Sequence, residues 1–520
     1  MRSSFLGLEV SKRSIQIAQK ALDLTGHNMG NAATPGYTRQ RVDTNALYLS
    51  SYRNWQTKQS KLSLAGQGVQ AFGVSQVRDA YVDKRYRDIN CYVSEYDTKV
   101  GVLTEIETTL DNFENVGLAQ KISEFKTVLT NYAANAPDNK ELASIVRNSA
   151  SNICTMLNNY AKDLAAIKEN NVFAMETTVG QANTVIEKIA RLNEAIVNEY
   201  KATEFGNIVN GQGVSRYGPL ELMDQRNLLI DELSGYADIR VTDSGDGSVK
   251  IEIGTVAVVD GSKTEKIILQ DFHDCDAARL SFSNGEPAVL KSGEIKAYVD
   301  LLNGNGPYAN FYQNSEYGIP YYQSAIDTFA TDFAGWLNSL NGVMPDDGDT
   351  SRAMFGSMDD TYDVNGNLTK RGAITASNIR ISDEWMGDPT IIGQNILPDG
   401  SWGYSPNLDG THNNQILIGI EQAVPFGRAL DFTGTPFEYV AFLSNRLGQG
   451  ISFVQELYNT ASNTANTLLD TRDSISGVSD TEEGINMMTY QKWFNASSRI
   501  MTAMDECLDR IINNMGIVGR

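Results

Sequence analysis

The sequence predicts an α+β multidomain protein with long helices at both ends and a β-rich region between them. Residues 1–33 and 480–516 each carry an amphipathic helical pattern. Runs of β-branched residues separated by Gly- and Asp-rich turns begin at about residue 236. We therefore expect terminal helices paired as a coiled coil, a long-helix rod domain and an inserted β-rich outer domain.

Length and charge limit the possible functions. The chain has 520 residues with a formal net charge of −21, and about 150 residues per domain predicts three or four domains. So negative a protein repels phosphate backbones, which argues against a nucleic-acid partner, and it would also repel an anionic membrane surface. No apolar run reaches the roughly 18 residues of a membrane span, and no signal-peptide core is visible. Taken alone, these features predict a cytoplasmic protein.

The N-terminal helix carries a narrow apolar stripe. We expect this helix to stop near Ala33, because Thr34-Pro35-Gly36-Tyr37 has the Pro-Gly order of a type II turn. The stripe is weak, since several of its members are small or polar. They recur every three or four residues, which places on one face Leu8, Ser11, Ile15, Ala18, Leu22, Thr25 and Met29.

The C-terminal helix has a stricter pattern. Asp480-Thr481-Glu482-Glu483 predicts a capping box, with Asp480 as N-cap and Glu483 reaching back to it. A spacing of three and four residues over four heptads predicts a coiled-coil seam of Met487, Tyr490, Phe494, Ser497, Met501, Met504, Leu508, Ile511 and Met515.

Each terminal helix needs an apolar partner. Burying one large seam residue contributes roughly 1.5–3 kcal/mol, which neither helix obtains alone. The pair should therefore be marginal in a free monomer and ordered when neighbours cover it. The predicted assembly interface consists of Leu8, Ile15, Leu22, Met29, Phe494, Met501, Met504, Leu508, Ile511 and Met515.

The residues between the ends suggest a division into domains. Helical patterns dominate 81–200 and recur at 220–233, β-branched runs occupy 239–259, and 294–342 is again helical apart from a loop at 304–320. We predict a terminal domain of residues 1–60 and 475–520. The rod domain would comprise 61–235 and 411–474, and the outer domain 236–410. The helices of 294–342 are candidates to pack on the rod domain.

Catalytic patterns are missing from the sequence. It has three histidines and no HExxH, GxSxG, Walker A or GxGxxG motif. The short His273–Asp276 cluster is typical of a solvated loop, and Cys91, Cys154, Cys275 and Cys507 form no CxxC pair and are expected to be separate thiols. We predict no enzymatic activity, metal site or cofactor.

Three segments resemble those of bacterial flagellar axial proteins, and within them the hook-associated protein 1 family. Gly36-Tyr37-Thr38-Arg39-Gln40 is closer to this family than to rod and hook proteins, which usually have Gly-Phe. The second segment, Leu222-Met223-Asp224-Gln225-Arg226-Asn227, is similar to the Leu-Leu-Asp-Gln-Arg-Asp motif of that family. The third, Ser476-Gly477-Val478 followed by Glu482-Glu483, looks like the family's Ser-Gly-Val…Glu-Glu signature. The matching residues are Asn28, Asn31, Thr34, Pro35, Gly36, Tyr37, Arg39 and Gln40; Asp224, Gln225 and Arg226; and Ser476, Gly477, Val478, Glu482 and Glu483.

The resemblance implies a non-enzymatic structural subunit of the bacterial flagellum at the hook–filament junction. It implies an extracellular location after export through the flagellar secretion channel without a cleaved signal peptide, which reverses the cytoplasmic prediction. Implied partners are further copies of itself, hook protein, hook-associated protein 3, and an export chaperone at the C-terminal helix, where Met501, Met504 and Leu508 form an adaptable apolar face.

Two alternatives remain at this level. The chain could be another axial subunit, either hook-associated protein 3 or hook protein. The Asp224-Gln225-Arg226 segment and the long helices after Tyr81 count against hook protein, while hook-associated protein 3 is usually shorter. From a different class, residues 236–410 could form a carbohydrate-binding or degradative module carried on the rod.

Overall fold

A computed structural model describes residues 6–46, 68–110, 117–135, 138–208, 219–270, 277–311, 313–343, 352–363, 368–396, 402–403, 424–426 and 432–514. This part of the chain is mostly helical, with small antiparallel sheets, consistent with the predicted α+β class. The helices are α1 (Leu6–Gly30), α2 (Ala80–Leu110), α3 (Leu118–Ala133), α4 (Lys140–Ile208), α5 (Leu220–Tyr236), α6 (Glu294–Asn303), α7 (Ile319–Leu340), α8 (Asp383–Gly387), α9 (Pro436–Ser476) and α10 (Asp480–Asn514).

The strands are short and pair locally. One sheet has four strands in the order β3-β4-β5-β6, and all other sheets have two. The strands are β1 (Gln40–Ala46), β2 (Val69–Gln76), β3 (Ile239–Asp243), β4 (Val249–Ile253), β5 (Val256–Asp260), β6 (Lys263–Thr264), β7 (Ile267–Gln270), β8 (Arg279–Phe282), β9 (Phe355–Ser357), β10 (Thr361–Tyr362), β11 (Leu368–Lys370), β12 (Ile379–Ile381), β13 (Asn395–Ile396), β14 (Trp402–Gly403), β15 (Val424–Phe426) and β16 (Phe432–Gly434).

The chain forms two compact units. The first comprises the described parts of 1–91, 181–266 and 461–520, and the second those of 92–180 and 267–460. Both terminal helices and the sheet β3–β6 belong to the first unit. The predicted outer domain, 236–410, draws residues from both units, and the predicted three-domain division remains a prediction.

In the first unit α1 packs along α10. The residues that α1 buries most deeply are small or polar, namely Ser11, Ala18, Ala21, Thr25 and Asn28. Small side chains let two helix backbones approach closely, and a Cβ added to Gly7 would collide with Met504. The weak stripe of the sequence is thus suited to close packing.

A β-ribbon and a small sheet complete the first unit. β1 and β2 pair antiparallel with a bulge at Asp43/Thr44, and both contact α1. The predicted strands at 239–242, 249–253 and 256–259 are confirmed as β3, β4 and β5. In β4 residues alternate between buried and half-buried, so Ile251 and Ile253 face the interior.

The second unit is built on the first half of α4 and on α7. Along α4 the buried residues recur every three or four positions, which makes one continuous apolar face: Ala143, Val146, Ala150, Ile153, Leu157, Tyr160, Leu164 and Ile167. The largest fully buried side chains around α7 are aromatic: Tyr321, Phe329, Phe333, Phe355, Trp385 and Tyr439.

Cys91 and Cys154 are buried free thiols, and Cys507 is an exposed one. Cys275 and the rest of the His273–Asp276 cluster lie outside the described residues. Within the described ranges no helix is long and apolar enough to cross a membrane, and no group of three or more His, Cys, Asp or Glu side chains could hold a metal ion.

Candidate functional site

The three sequence motifs meet in the first unit, at the end of α1. We call this cluster the motif junction and define it as Asn28, Tyr37, Thr38, Arg39, Gln40, Asp224 and Glu483. Its members come from α1, from the segment joining α1 to β1, from α5 and from the start of α10. The junction therefore connects residues that are up to 455 positions apart in the chain.

Asn28 is the centre of the motif junction and is 2% exposed. Its amide nitrogen donates to the main-chain oxygen of Gln40 (2.9 Å) and to Glu483 Oε2 (3.2 Å). Its amide oxygen accepts from the main-chain N–H of Gln40 (3.1 Å) and from the Tyr37 hydroxyl (2.7 Å). These four bonds use both donors and both lone pairs of the amide, so a side chain without an amide group leaves buried partners unsatisfied.

The connection from α1 to β1 begins with a tight turn. Tyr37 N–H donates to the main-chain oxygen of Thr34 (3.2 Å), and Gly36 has φ of +77°. The predicted type II turn is thereby confirmed. Burial raises the pKa of Tyr37, and the nearby carboxylates of Asp224 and Glu221 add to the shift. The phenol thus stays protonated and donates to Asn28.

Glu483 joins the two ends of the chain. Its side chain is 2% exposed and accepts from Arg39 Nε (2.8 Å) as well as from Asn28. Arg39 also pairs with the more exposed Glu482 (2.9 Å), and its main-chain N–H donates to the main-chain oxygen of Ser476 (2.8 Å). The buried carboxylate accepts hydrogen bonds from two donors at the other end of the same chain, and these bonds fix the start of α10 against the end of α1.

The predicted capping box is wrong in detail. Asp480 is the first helical residue of α10, and the hydroxyl of Ser479 before it accepts from Glu482 N–H (3.4 Å). Glu483 does not serve the helix terminus, because its carboxylate is directed to Asn28 and Arg39 instead. Charge-assisted bonds in a buried site outweigh a local cap.

Asp224 attaches the connecting segment to α5. Its carboxylate accepts from the main-chain N–H (3.0 Å) and the hydroxyl (2.6 Å) of Thr38, and Arg78 lies 3.8 Å away. Burial raises the pKa of Asp224, while the bonds from Thr38 and the charge of Arg78 oppose the shift. The two hydrogen bonds from Thr38 replace those to water that the Asp224 carboxylate loses on burial.

Arg226, two residues later, binds α4 and the turn between β3 and β4. Its guanidinium donates to Asn193 Oδ1 of α4 (3.0 Å) and to the main-chain oxygen of Gly247 (2.7 Å). Burial lowers the pKa of Arg226 to about 10, which still leaves it charged at neutral pH. Asp224 and Arg226 thus fasten α5 to the connecting segment on one side and to the β3–β4 turn on the other.

The remaining motif residues have lesser roles. Asn31 accepts from the Thr34 hydroxyl and donates to the main-chain oxygen of His27. Gln225 is exposed, and a Cβ at Gly477 would press on the main-chain oxygen of Asp473. A cleft of about 410 Å³ in the first unit is lined by residues of all three segments, among them Thr34, Pro35, Gly36, Tyr37, Leu228, Ser476, Gly477 and Val478.

The predicted interface residues are only partly brought together. On α1 Leu8, Ile15 and Leu22 are half-buried, and on α10 so are Phe494, Met501, Met504 and Leu508. Met29 and Ile511 are 36% and 46% exposed, and Met515 lies outside the described residues. Asn28, not Met29, occupies the buried position at the end of α1.

An ion-pair cluster beside the motif junction was missed in the sequence. Asp231 accepts from Arg87 Nε (2.6 Å) and Arg472 Nη1 (2.6 Å), which links α2, α5 and α9. One signal was present, because Asp224 and Asp231 are seven residues apart and share a face of α5. The arginines follow no periodic pattern, so only the tertiary contacts reveal them.

Comparisons with known proteins agree along the chain. The helical domain of flagellar hook-associated protein FlgK matches residues 103–355, and the C-terminal region of flagellar basal body rod FlgEFG protein matches 472–515. Flagellar hook-associated protein 1 of Bacillus subtilis is 28% identical, covering 100% of both chains. The proteins of the same name from Escherichia coli and Salmonella typhimurium are 21% identical, covering 96% of this chain and 98% of each relative.

A solved structure supports the fold. The flagellar hook junction protein FlgK from Burkholderia pseudomallei superposes with a TM-score of 0.53 at 12% identity, covering 76% of this chain and 100% of that one. At this identity the likeness concerns the fold alone. With the motifs in order and relatives that match over their full length, this flagellar structural chain is similar throughout to hook-associated protein 1.

Proposed function

We propose that this chain is a structural subunit of the hook–filament junction that adapts the hook to the filament and has no catalytic role. The observation that carries the proposal is the buried Asn28–Glu483 contact, which brings the two ends of a 520-residue chain to one place. The comparisons add support, since the relatives that match over the full length are hook-associated proteins 1. Those relatives also argue against the alternatives of hook protein and hook-associated protein 3.

In this proposal α1 and α10 form a coiled coil in the inner tube of the assembly. The helical rod would form the next layer, and the 236–410 region would face outward. In a single copy, seam residues such as Met501 and Leu508 are only half-buried, which supports a coil that needs neighbouring subunits to cover it. Further copies of the chain complete the burial, with hook protein on one side and hook-associated protein 3 on the other.

The proposed export route constrains the same helix. The chain would leave the cell unfolded through the flagellar channel without signal cleavage, with a chaperone on Met501, Met504 and Leu508. These residues lie on the side of α10 that packs on α1, as the contact between Gly7 and Met504 indicates. A chaperone and α1 would therefore compete for one face, so that α1 docks only after release.

Gene deletion tests the proposal in the bacterium that carries the gene. Cells without the gene should have hooks but no filaments and should shed flagellin into the medium, and the cloned gene should restore filaments. Normal filaments in the deletion strain would refute the assignment.

A point substitution tests the terminal coil. Leu508→Asp places a carboxylate in the half-buried seam and should abolish junction assembly. Thr502→Asp, at an exposed position of the same helix, is the matched control and should assemble normally. Equal filament counts for the two variants would contradict a role for the seam.

A further inference from the structure

An Asn-Gly sequence lies at the exposed tip of the hairpin that follows β8. Phe282 N–H donates to the main-chain oxygen of Glu286 (2.8 Å), and Gly285 N–H donates to that of Phe282 (2.8 Å), which closes a three-residue turn. Gly285 has φ of +86°, the left-handed position that such a turn requires. Asn284 and Gly285 are both exposed, so water and hydroxide reach the peptide bond between them.

The side chain of Asn284 binds the main chain two residues further on. Its Oδ1 accepts from the main-chain N–H of Glu286 (2.9 Å). A donor at this oxygen stabilises the negative charge that develops there when a nucleophile attacks Cγ. The amide nitrogen Nδ2 donates to no residue in the described part of the chain. The Asn284 amide is thus polarised at its oxygen and unrestrained at its nitrogen.

The other Asn-Gly sequences among the described residues are buried and held. Asn303 and Asn305 are both 7% exposed, and Asn341 is 3% exposed. Asn303 Oδ1 accepts from the main-chain N–H of Ala278 (2.7 Å), and its Nδ2 donates to the oxygen of the same residue (2.8 Å). Asn341 makes a similar pair of bonds to Arg352, and Nδ2 of Asn305 also has two acceptors. These amides cannot turn towards the following glycine without breaking such bonds.

We propose that Asn284 is a site of spontaneous deamidation, with the main-chain nitrogen of Gly285 as the nucleophile. Hydroxide removes the proton of this nitrogen, a bond forms from the nitrogen to Cγ of Asn284, and the bond from Cγ to Nδ2 breaks. Nδ2 takes a proton from water and leaves as ammonia, so that hydroxide is regenerated and a succinimide ring remains. Water then opens the ring at either carbonyl, which gives aspartate or isoaspartate. Glycine favours the ring closure because it has no Cβ to obstruct it.

The product alters one wall of a cavity in the second unit. Both products add a negative charge to the hairpin tip, and isoaspartate also lengthens the main chain by a methylene group. A cavity of about 470 Å³ beside the tip is lined in part by Ser281, Gly285, Pro287 and Val289. This wall therefore changes covalently with the age of the chain. The inference is independent of the proposed function, because the reaction takes place within a single copy.

Peptide mass spectrometry of the purified full-length chain, sampled over time in mildly alkaline buffer, tests the site. The tryptic peptide 280–291 contains Asn284 and no other asparagine, whereas Asn303, Asn305 and Asn341 lie in the peptide 297–352, where fragmentation separates them. Asn284 should convert about thirtyfold faster than each of these three, since each must first break two hydrogen bonds. A methyltransferase specific for isoaspartate should label the peptide 280–291.

Two controls separate the effect of the fold from that of the sequence. In urea all four Asn-Gly sequences should convert at similar rates, because unfolding removes the bonds that protect three of them. Asn284→Gln should leave the peptide 280–291 unconverted, since glutamine has to close a larger and less favoured ring. Three results would overturn the proposal: equal rates of the four sequences in the folded chain, conversion of Asn284 only in urea, or a product that contains aspartate without isoaspartate.

Discussion

Replacing Asn28 with alanine is expected to release α1 from the motif junction. The change removes three bonds to uncharged partners, Gln40 (two) and Tyr37, and one to the Glu483 carboxylate. At about 1 kcal/mol for each neutral bond and about 1.5–3 for the charged one, the loss is roughly 4 kcal/mol after allowing for water entry. Such a loss corresponds to about a 10³-fold change in the docking equilibrium.

Hydrogen exchange of the purified chain, followed by mass spectrometry, measures this loss. Amides of α1 and β1 should exchange about 10³-fold faster in Asn28→Ala than in the wild type. Amides of α7, in the second unit, should be unchanged. Local exchange is the right assay because a chain with two units need not unfold in one step.

Two variants calibrate the Asn28 experiment. Tyr37→Phe removes one hydroxyl bond and should accelerate exchange by about fivefold to tenfold. Gln225→Ala, at an exposed position of the second motif, should have no effect. Exchange in Asn28→Ala within tenfold of the wild type would show that the junction does not hold α1 in a single copy, and would favour the prediction that the terminal helices become ordered only on assembly.

The remaining predictions concern other residues of the junction. Glu483→Gln should weaken the contact of α10 with Arg39 by about 2 kcal/mol, which proteolysis of the terminal helices would measure. Glu482→Gln should have almost no effect, because the side chain of Glu482 is 62% exposed. Equal effects of the two substitutions would contradict the role of burial. Burial raises the pKa of Asp224 in the folded state above its value in the unfolded state. The wild type should therefore gain stability relative to Asp224→Asn as the pH falls from neutral through the raised pKa. If urea denaturation gives the same stability difference between the two proteins at pH 7 and pH 4, the raised pKa is refuted. Gly36→Ala should cost about 1–2 kcal/mol, because φ is +77° and Leu228 Cβ lies 3.3 Å from the added methyl; an unaltered Tm would exclude a strained turn.

Periodic patterns in the sequence were reliable where the structure is local. The terminal helices, the Pro-Gly turn after α1 and the strands β3 to β5 follow from spacing and turn residues. Such features depend on residues a few positions away in the chain, so the local sequence is enough to predict them. The motif residues could also be named, although nothing in their spacing indicated which of them touch.

The cap of α10 shows where local reasoning fails. Asp480 and Glu483 have the right spacing for a capping box, yet Glu483 instead accepts from Asn28 and Arg39. These donors come from residues more than 440 positions earlier. A charge-assisted bond in a buried site is stronger than a solvated cap, so the distant partners prevail.

The sequence by itself determined that both ends of this chain are helices with an apolar face and that three of its motifs resemble those of hook-associated protein 1. Only the tertiary structure decided that Asn28 joins the first motif to Glu483 of the third and that Asp224 of the second motif binds Thr38. Periodicity reports which side chains share a face of a helix, but it does not report which face is covered. Coverage depends on where distant segments pack, and that is settled by the buried hydrogen bonds and close helix contacts of the folded chain.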